Sequence, residues 1–275
     1  MIAAPSEPRW PAGRGAAARA GAWLPPLAIL CALLGVWELA ARLDVIANAL
    51  RIEPFLVPAP SDIAQSLWND RSLLADNGWV TLQEVLAGFA LSVAAGVGFA
   101  VLLHLSSTLR RAVYPLLVAS QTVPIVVVAP ILVVWLGFGI GPKLAIIALI
   151  CFFPITVNTL DGLGSVDPDL LKMMRTLDAS RRQTLIRVEG PTALPYFFSG
   201  AKIAVAVAVI GAVFGEWAGA SSGLGHLIYI AYSQLQTART FAAVAVLSAL
   251  AIALFALLAA LERRVAWWGP RETRS

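Results

Sequence analysis

The sequence predicts an all-α, polytopic membrane protein with six transmembrane helices. Apolar residues make up 59% of the chain, charged residues 13%, and the mean hydropathy is +0.80. A soluble domain has no use for that much apolar surface, so the excess faces lipid. The apolar residues are also gathered into six runs, 24–42, 80–105, 112–136, 144–163, 197–218 and 238–261. Each is close to the roughly 20 residues that a helix needs to cross a bilayer core. The third observation is the placement of Lys and Arg. With the N-terminus in the cytoplasm, the inner segments hold 14 of the 20 basic residues, the outer ones hold 5, and Lys202 falls inside a span. That is the positive-inside bias. Both termini are then cytoplasmic, and the isoelectric point near 9.4 reflects topology, with no nucleic acid needed to explain it.

The elements follow in order. Residues 1–21, with Arg9, Arg14 and Arg19 spread over Pro, Gly and Ala, read as a cytoplasmic tail rather than a cleavable signal. Residues 22–266 form the membrane domain, 164–196 its main cytoplasmic loop, and 267–275 a second cytoplasmic tail. Cys31 and Cys151 both lie in spans, so no disulfide framework follows from them. The external connection 43–79 contains Pro58 and Pro60, which extend the chain, and Ser61, which can cap a short helix at the outer membrane boundary.

Span two opens with "TLQE" (81–84), which reads as a capping box giving Thr81 and Glu84 a structural role. Gly88, Ser92 and Gly96 recur every four residues and permit a close helix neighbour. His104, at the inner end, reads as an interfacial residue. Span three carries Pro115, Pro124 and Pro130, with Gln121 and Thr122 beside a proline kink. Span four adds Pro154, Thr156 and Asn158. Polar side chains at this depth either hold helices together or line a pathway. Glu216, in span five, either snorkels outward, lines a water-filled cavity or pairs within the bundle. Gln121, Thr122, Asn158 and Glu216 are the candidate pathway residues, and the Glu216 charge is expected to matter for passage and not for folding.

Enzymatic readings find little footing. "GFGIGPK" (137–143) is a helix–helix turn with no preceding strand, so it is no phosphate loop. "GASSG" (219–223), with His226 nearby, matches a nucleophile elbow in letters but lacks the strand–turn–helix setting and an acidic partner. No catalytic residue, metal site or cofactor is expected.

The loop between spans four and five is the most informative passage. Asp167 and Pro168 open a helix over 168–177, as cap and first residue. Asp178 is expected to break it and cap a second helix over 179–188, which Gly190, Pro191 and Pro195 stop. Two short basic helices at a tight corner suit a docking element; the bland alternative is a loop hugging anionic lipid.

Here the chain resembles the bacterial ABC-importer permeases. Their cytoplasmic loop follows the pattern E-A-A, three residues, G, nine residues, I, one residue, L-P. Its spacing falls on Lys172, Met173 and Met174, then Asp178, Val188, Gly190 and Pro191. "LDASR" (177–181) and "PTALP" (191–195) read like the family's usual segments, although the glutamate, both alanines, the glycine and the leucine are replaced. From about residue 55 to 261, "FLVPAPSDI", "TLQEVLAGF", "WLGFGIGPK", "SVDPDLL" and "GEWAGASSGLG" look like the nitrate/sulfonate/taurine branch. Within it, "QTVPIVVVAP" and "GEWAGASSGLG" are most similar to permeases for the thiamine pyrimidine precursor or riboflavin.

The resemblance implies a type I ABC importer permease fold in the bacterial inner membrane, working as a homodimer. It implies two cytoplasmic ATPase subunits and a periplasmic or lipid-anchored substrate-binding protein. Lys172, Arg175, Leu177, Asp178, Ala179, Ser180, Arg181 and Pro191 would then couple the chain to its ATPase. The rivals are a permease of the same type for nitrate, sulfonate or taurine, and an ion-coupled secondary transporter. The latter usually needs buried ionisable residues and often internal repeats; Glu216 is its one good candidate.

Overall fold

The computed structural model describes residues 24–268, and among these no strand occurs. The tail expected at 1–21, and that expected at 267–275 apart from its first two residues, lie outside the described residues. Two compact units are distinguished, with a boundary after Ala64.

In the first unit, α1 (Leu24–Arg42) has the bounds expected for the first span. A short α2 (Val45–Leu50) and a single 3-10 turn (Pro54–Leu56) follow. The helix α3 (Pro60–Asn69) starts one residue before Ser61, so Ser61 is not its cap. The acid of its first turn, Asp62, instead reaches back to the Ala59 amide at 3.1 Å. Ser61 binds Glu38 through both its amide and its hydroxyl.

The second unit is a bundle of long helices: α4 (Arg71–Leu105), α5 (Ser107–Ser120), α6 (Ile125–Leu136), α7 (Ile140–Gly164), α8 (Pro168–Thr176), α9 (Arg181–Thr184), α10 (Gly190–Gly219), α11 (Leu224–Ser233) and α12 (Thr237–Val265). Among the described residues, four helical stretches are long and apolar enough to cross a membrane, or five if the bent pair α5–α6 counts as one. By that measure the expected count of six is not reproduced.

Three expectations need correction here. Span two begins at Arg71 rather than residue 80, and 35 residues make a helix of roughly 50 Å, longer than a bilayer core. "TLQE" therefore sits within a continuous helix, where amides already have partners, and no capping box forms. Span three is not one kinked helix: α5 and α6 meet at 100°. Pro124 has no N–H to continue the ladder and forces its predecessor out of helical backbone, so the chain turns at residues 121–124.

The core sits where α7 packs along α10 and α4 packs along α7. Val85, Ile147, Cys151, Ile155, Ala204, Val205, Ala208, Val209, Ala212 and Leu254 form its centre. The stripe expected on span two is the α4 contact face: a Cβ on Gly88 would lie 2.6 Å from Ile147, and one on Gly96 2.9 Å from Ile155. Between them Ser92 donates to the Ala148 carbonyl at 3.1 Å. Small residues let backbones approach where lipid supplies no hydrophobic drive. Lys202, charged within a span, is matched by Glu262 of α12 at 2.9 Å.

Candidate functional site

The passage between α7 and α10 forms a built corner. Asp167 accepts from the Asp169 amide at 2.8 Å and Pro168 fills the first position of α8, as expected. At the other end, Asp178 takes a left-handed conformation (φ 53°). The Ala179 amide donates to the Met174 carbonyl and the Asp178 amide to that of Arg175, both at 3.0 Å. That pair of bonds is a Schellman termination, in which the left-handed residue is usually glycine because it has no Cβ. The physical reason for the glycine of the resembled pattern is therefore visible, and aspartate is among the residues that tolerate the same backbone.

Asp178 thus ends α8 and caps nothing, contrary to expectation. The cap of α9 is Ser180, which accepts from Gln183 N while the Gln183 side chain accepts from Ser180 N. Nor do Gly190, Pro191 and Pro195 stop the second helix. α9 runs through a π turn (Leu185–Glu189) directly into α10. Pro191 offers no amide and its ring crowds the preceding turn, so the Gly190 amide reaches back five residues to Leu185. Pro195 likewise leaves the Pro191 carbonyl without its helical donor, and the Trp268 indole supplies one at 3.3 Å.

Of the candidate coupling residues, Lys172, Arg175, Leu177, Asp178, Ser180 and Arg181 are exposed around this corner, and Ala179 is half-buried in it. Pro191 lies apart, in the shaft of α10. Lys172 pairs with Asp169 at 2.7 Å, both exposed, a contact worth about 0–1 kcal/mol. Met173 and Leu177 present 51% and 68% of their surface beside these charges.

The four candidate pathway residues occupy different settings. Gln121 and Thr122 are exposed at the α5–α6 break, where the Thr122 hydroxyl donates to the Ala119 carbonyl at 2.8 Å. Asn158 lies at the α7–α10 seam, donating to the Pro154 carbonyl at 2.8 Å and facing Gly200.

Glu216 is 1% exposed and works as a remote helix cap. Its carboxylate accepts from the Gly225 and His226 amides (2.5 and 3.2 Å) and from the Thr81 hydroxyl (2.7 Å). The Thr81 oxygen in turn accepts from the Leu224 amide, and Asn77 Oδ1 from the Gly223 amide, both at 2.8 Å. The opening amides of α11, which no helix can satisfy internally, are all met by Asn77, Thr81 and Glu216. Gly223 has φ 114°, and a Cβ there would run into the Glu216 carboxylate. Of the three readings left open for Glu216, pairing within the bundle is the observed one. The side chain thus has a place in the fold, beyond the expectation that its charge serves passage.

Sequence reasoning missed a second buried pair beside it. Lys143 Nζ lies 2.5 Å from Glu84 Oε1, with the residues 7% and 3% exposed. Lys143 is the fourth residue of α7, where the helix dipole disfavours a cation, so Glu84 is what justifies it. An acid inside one apolar run and a lysine at the edge of another were the available signal. Phe138, Gly139, Lys143, Gly219, Ala220 and Ser221 line an open groove of about 540 Å³ at this end. At the start of α4, Arg239 of α12 makes a two-pronged pair with Asp70, at 2.9 Å on both oxygens, which holds the Asp70 carboxyl below its usual range. "GASSG" forms the loop between α10 and α11, without the strand–turn–helix context of a nucleophile.

Residues 88–267 match the model of a family described as binding-protein-dependent transport system inner membrane component. The formylaminopyrimidine transport permease protein ThiX of Halalkalibacterium halodurans is 38% identical, over 90% of this chain and 97% of its own. The riboflavin transport system permease protein RibX of Chloroflexus aurantiacus is 37% identical, over 78% of this chain and 81% of its own. A chain of the MetNI methionine ABC transporter, in an inward-facing form, superposes with a TM-score of 0.61 at 20% identity, covering 74% of this chain and 99% of that one.

Proposed function

This chain belongs to the family of binding-protein-dependent transport system inner membrane components, and from that premise we propose that it is one of two identical permease subunits of an ATP-driven importer. Two ATPase subunits dock on the corner around Asp178, an external binding protein delivers the solute, and both termini face the cytoplasm. ATP-driven closure of the ATPases rocks the permease pair between inward- and outward-open states. The solute is small and polar, a formylaminopyrimidine-like thiamine precursor or a riboflavin-like compound. Similarity to ThiX along nearly its whole length carries that reading. Nitrate, sulfonate or taurine is the alternative within the same machinery, and binding of each to the partner binding protein decides between them. Ion coupling is disfavoured because Glu216, its best acid, is committed to capping α11.

Docking rests on the exposed Schellman corner, with Met173 and Leu177 open beside it. Asp178→Gly relieves the left-handed backbone and removes no hydrogen bond to a cap, so stability should stay within about 1 kcal/mol and the ATPase should copurify. Asp178→Trp should lose both the ATPase and uptake by bulk alone. If it keeps both, the corner is not the docking site and the lipid-hugging reading stands.

Orientation is tested separately, in a Cys31→Ser background, since Cys151 is buried. Arg182→Cys is the site of choice, because Gln183 closes the capping box and Arg182 is exposed. Its thiol should react with an impermeant maleimide only after the membrane is opened; labelling of intact cells inverts the topology.

A further inference from the structure

Glu189 is 1% exposed, ends the π turn that feeds α10, and no function described so far uses it. Its Oε1 accepts from Arg181 Nη1 at 2.6 Å. Its Oε2 lies 3.2 Å from His104 Nε2, on the last turn of α4, but without hydrogen-bond alignment. One buried carboxylate therefore touches three elements: the helix that leaves the corner, the base of α10, and the end of α4.

The π turn is what makes this contact possible. Eight residues of plain α-helix would turn the second side chain about 80° away from the first. The one residue that a π turn adds removes about 100° of that rotation, so Arg181 and Glu189 share a face two turns apart. A turn of this kind often marks a functional position. The two contacts differ in character. The Arg181 bond is short and charge-assisted, whereas the His104 contact is close but not aligned as a hydrogen bond.

We propose that Glu189 is a positioning residue for transport: the Arg181–Glu189–His104 clamp carries displacement of the docking corner into α10 and α4. This rests on the ATPase-coupled reading above. The pair is not an ordinary surface bridge, because losing Arg181 leaves a carboxylate buried and unpaired. Arg181→Glu, judged from sequence alone, looks like a weak change at an exposed site; with Glu189 as its partner it sets two carboxylates face to face.

The test uses the complete importer in liposomes and needs no knowledge of the solute. A cysteine replaces Ser221, at the far end of the bundle from the corner, in the Cys31→Ser background. Trapping ATP with vanadate should change the Ser221→Cys maleimide rate by about fivefold or more with the clamp intact, and by less than about twofold in Glu189→Gln. The variant should trap nucleotide to the same extent as the parent, which a merely misfolded chain would not. Glu189→Asp, which keeps the charge, should recover part of the change. If Glu189→Gln does not assemble, the double variant Arg181→Gln/Glu189→Gln decides, since it removes both charges together and leaves no buried carboxylate unpaired. A full labelling change in the assembled variant overturns the clamp while leaving the docking reading intact. Failure of the parent chain to carry an ATPase overturns both.

Discussion

Lys143→Met should destabilise the folded chain by about 3–5 kcal/mol, seen as a lowered midpoint of thermal unfolding in detergent. Methionine fills much of the lysine volume, so the loss is electrostatic rather than steric. It leaves Glu84, 3% exposed, without the ammonium 2.5 Å from its Oε1. Its other oxygen already lacks a hydrogen-bond partner, so no second donor is in place to take over. Replacing both members is a different matter: Lys143→Met with Glu84→Leu removes two desolvated charges together and should recover most of the loss. If the single substitution is as stable as the parent, water or lipid headgroups reach Glu84 and the pair is not sealed.

Glu216→Leu should cost about 2–6 kcal/mol, because it strands the Gly225 and His226 amides at roughly 1–3 kcal/mol each. The same unfolding measurement reads it. Glu216→Gln behaves differently. Its single oxygen can take the place that accepts from both amides, and its NH2 can donate to Thr81 Oγ1. The Thr81 hydroxyl then turns to the Asn77 carbonyl, already 3.2 Å away. The second NH2 hydrogen can go to Glu84, whose side chain is within hydrogen-bond reach of residue 216, so Glu216→Gln should stay within about 1 kcal/mol of the parent and keep uptake. This reverses the expectation drawn from sequence, in which the charge served passage. Normal stability of Glu216→Leu would show that the α11 amides reach water; lost uptake by a stable Glu216→Gln would restore the role of the charge.

Much of the architecture was legible because it depends on local chemistry. Apolar runs of bilayer length announce helices wherever lipid is the solvent, since an unsatisfied backbone cannot sit there. The Gly88–Ser92–Gly96 stripe announced a close helix contact, since only small residues at that period permit one. Asp167 and Pro168 announced the start of α8 through adjacent atoms. Where local patterns misled, a distant partner had claimed the residue. Thr81 does cap a helix, but one that begins 143 residues later, and no local window contains that pairing.

By itself, then, the sequence determined the solvent, the helical class and the existence of a turn between the fourth and fifth apolar runs, and its motifs carried the family likeness. The first three follow from composition, periodicity or turn residues along one stretch of chain; the likeness rests on the resemblance of whole segments. Only the tertiary structure decided what the charged residues inside that scaffold do. Glu84 belongs to Lys143, Glu216 to the start of α11, and Glu189 to Arg181 and His104. In an apolar interior a buried carboxylate must find its donors wherever the fold brings them. Those donors are chosen by the packing of α4, α7 and α10.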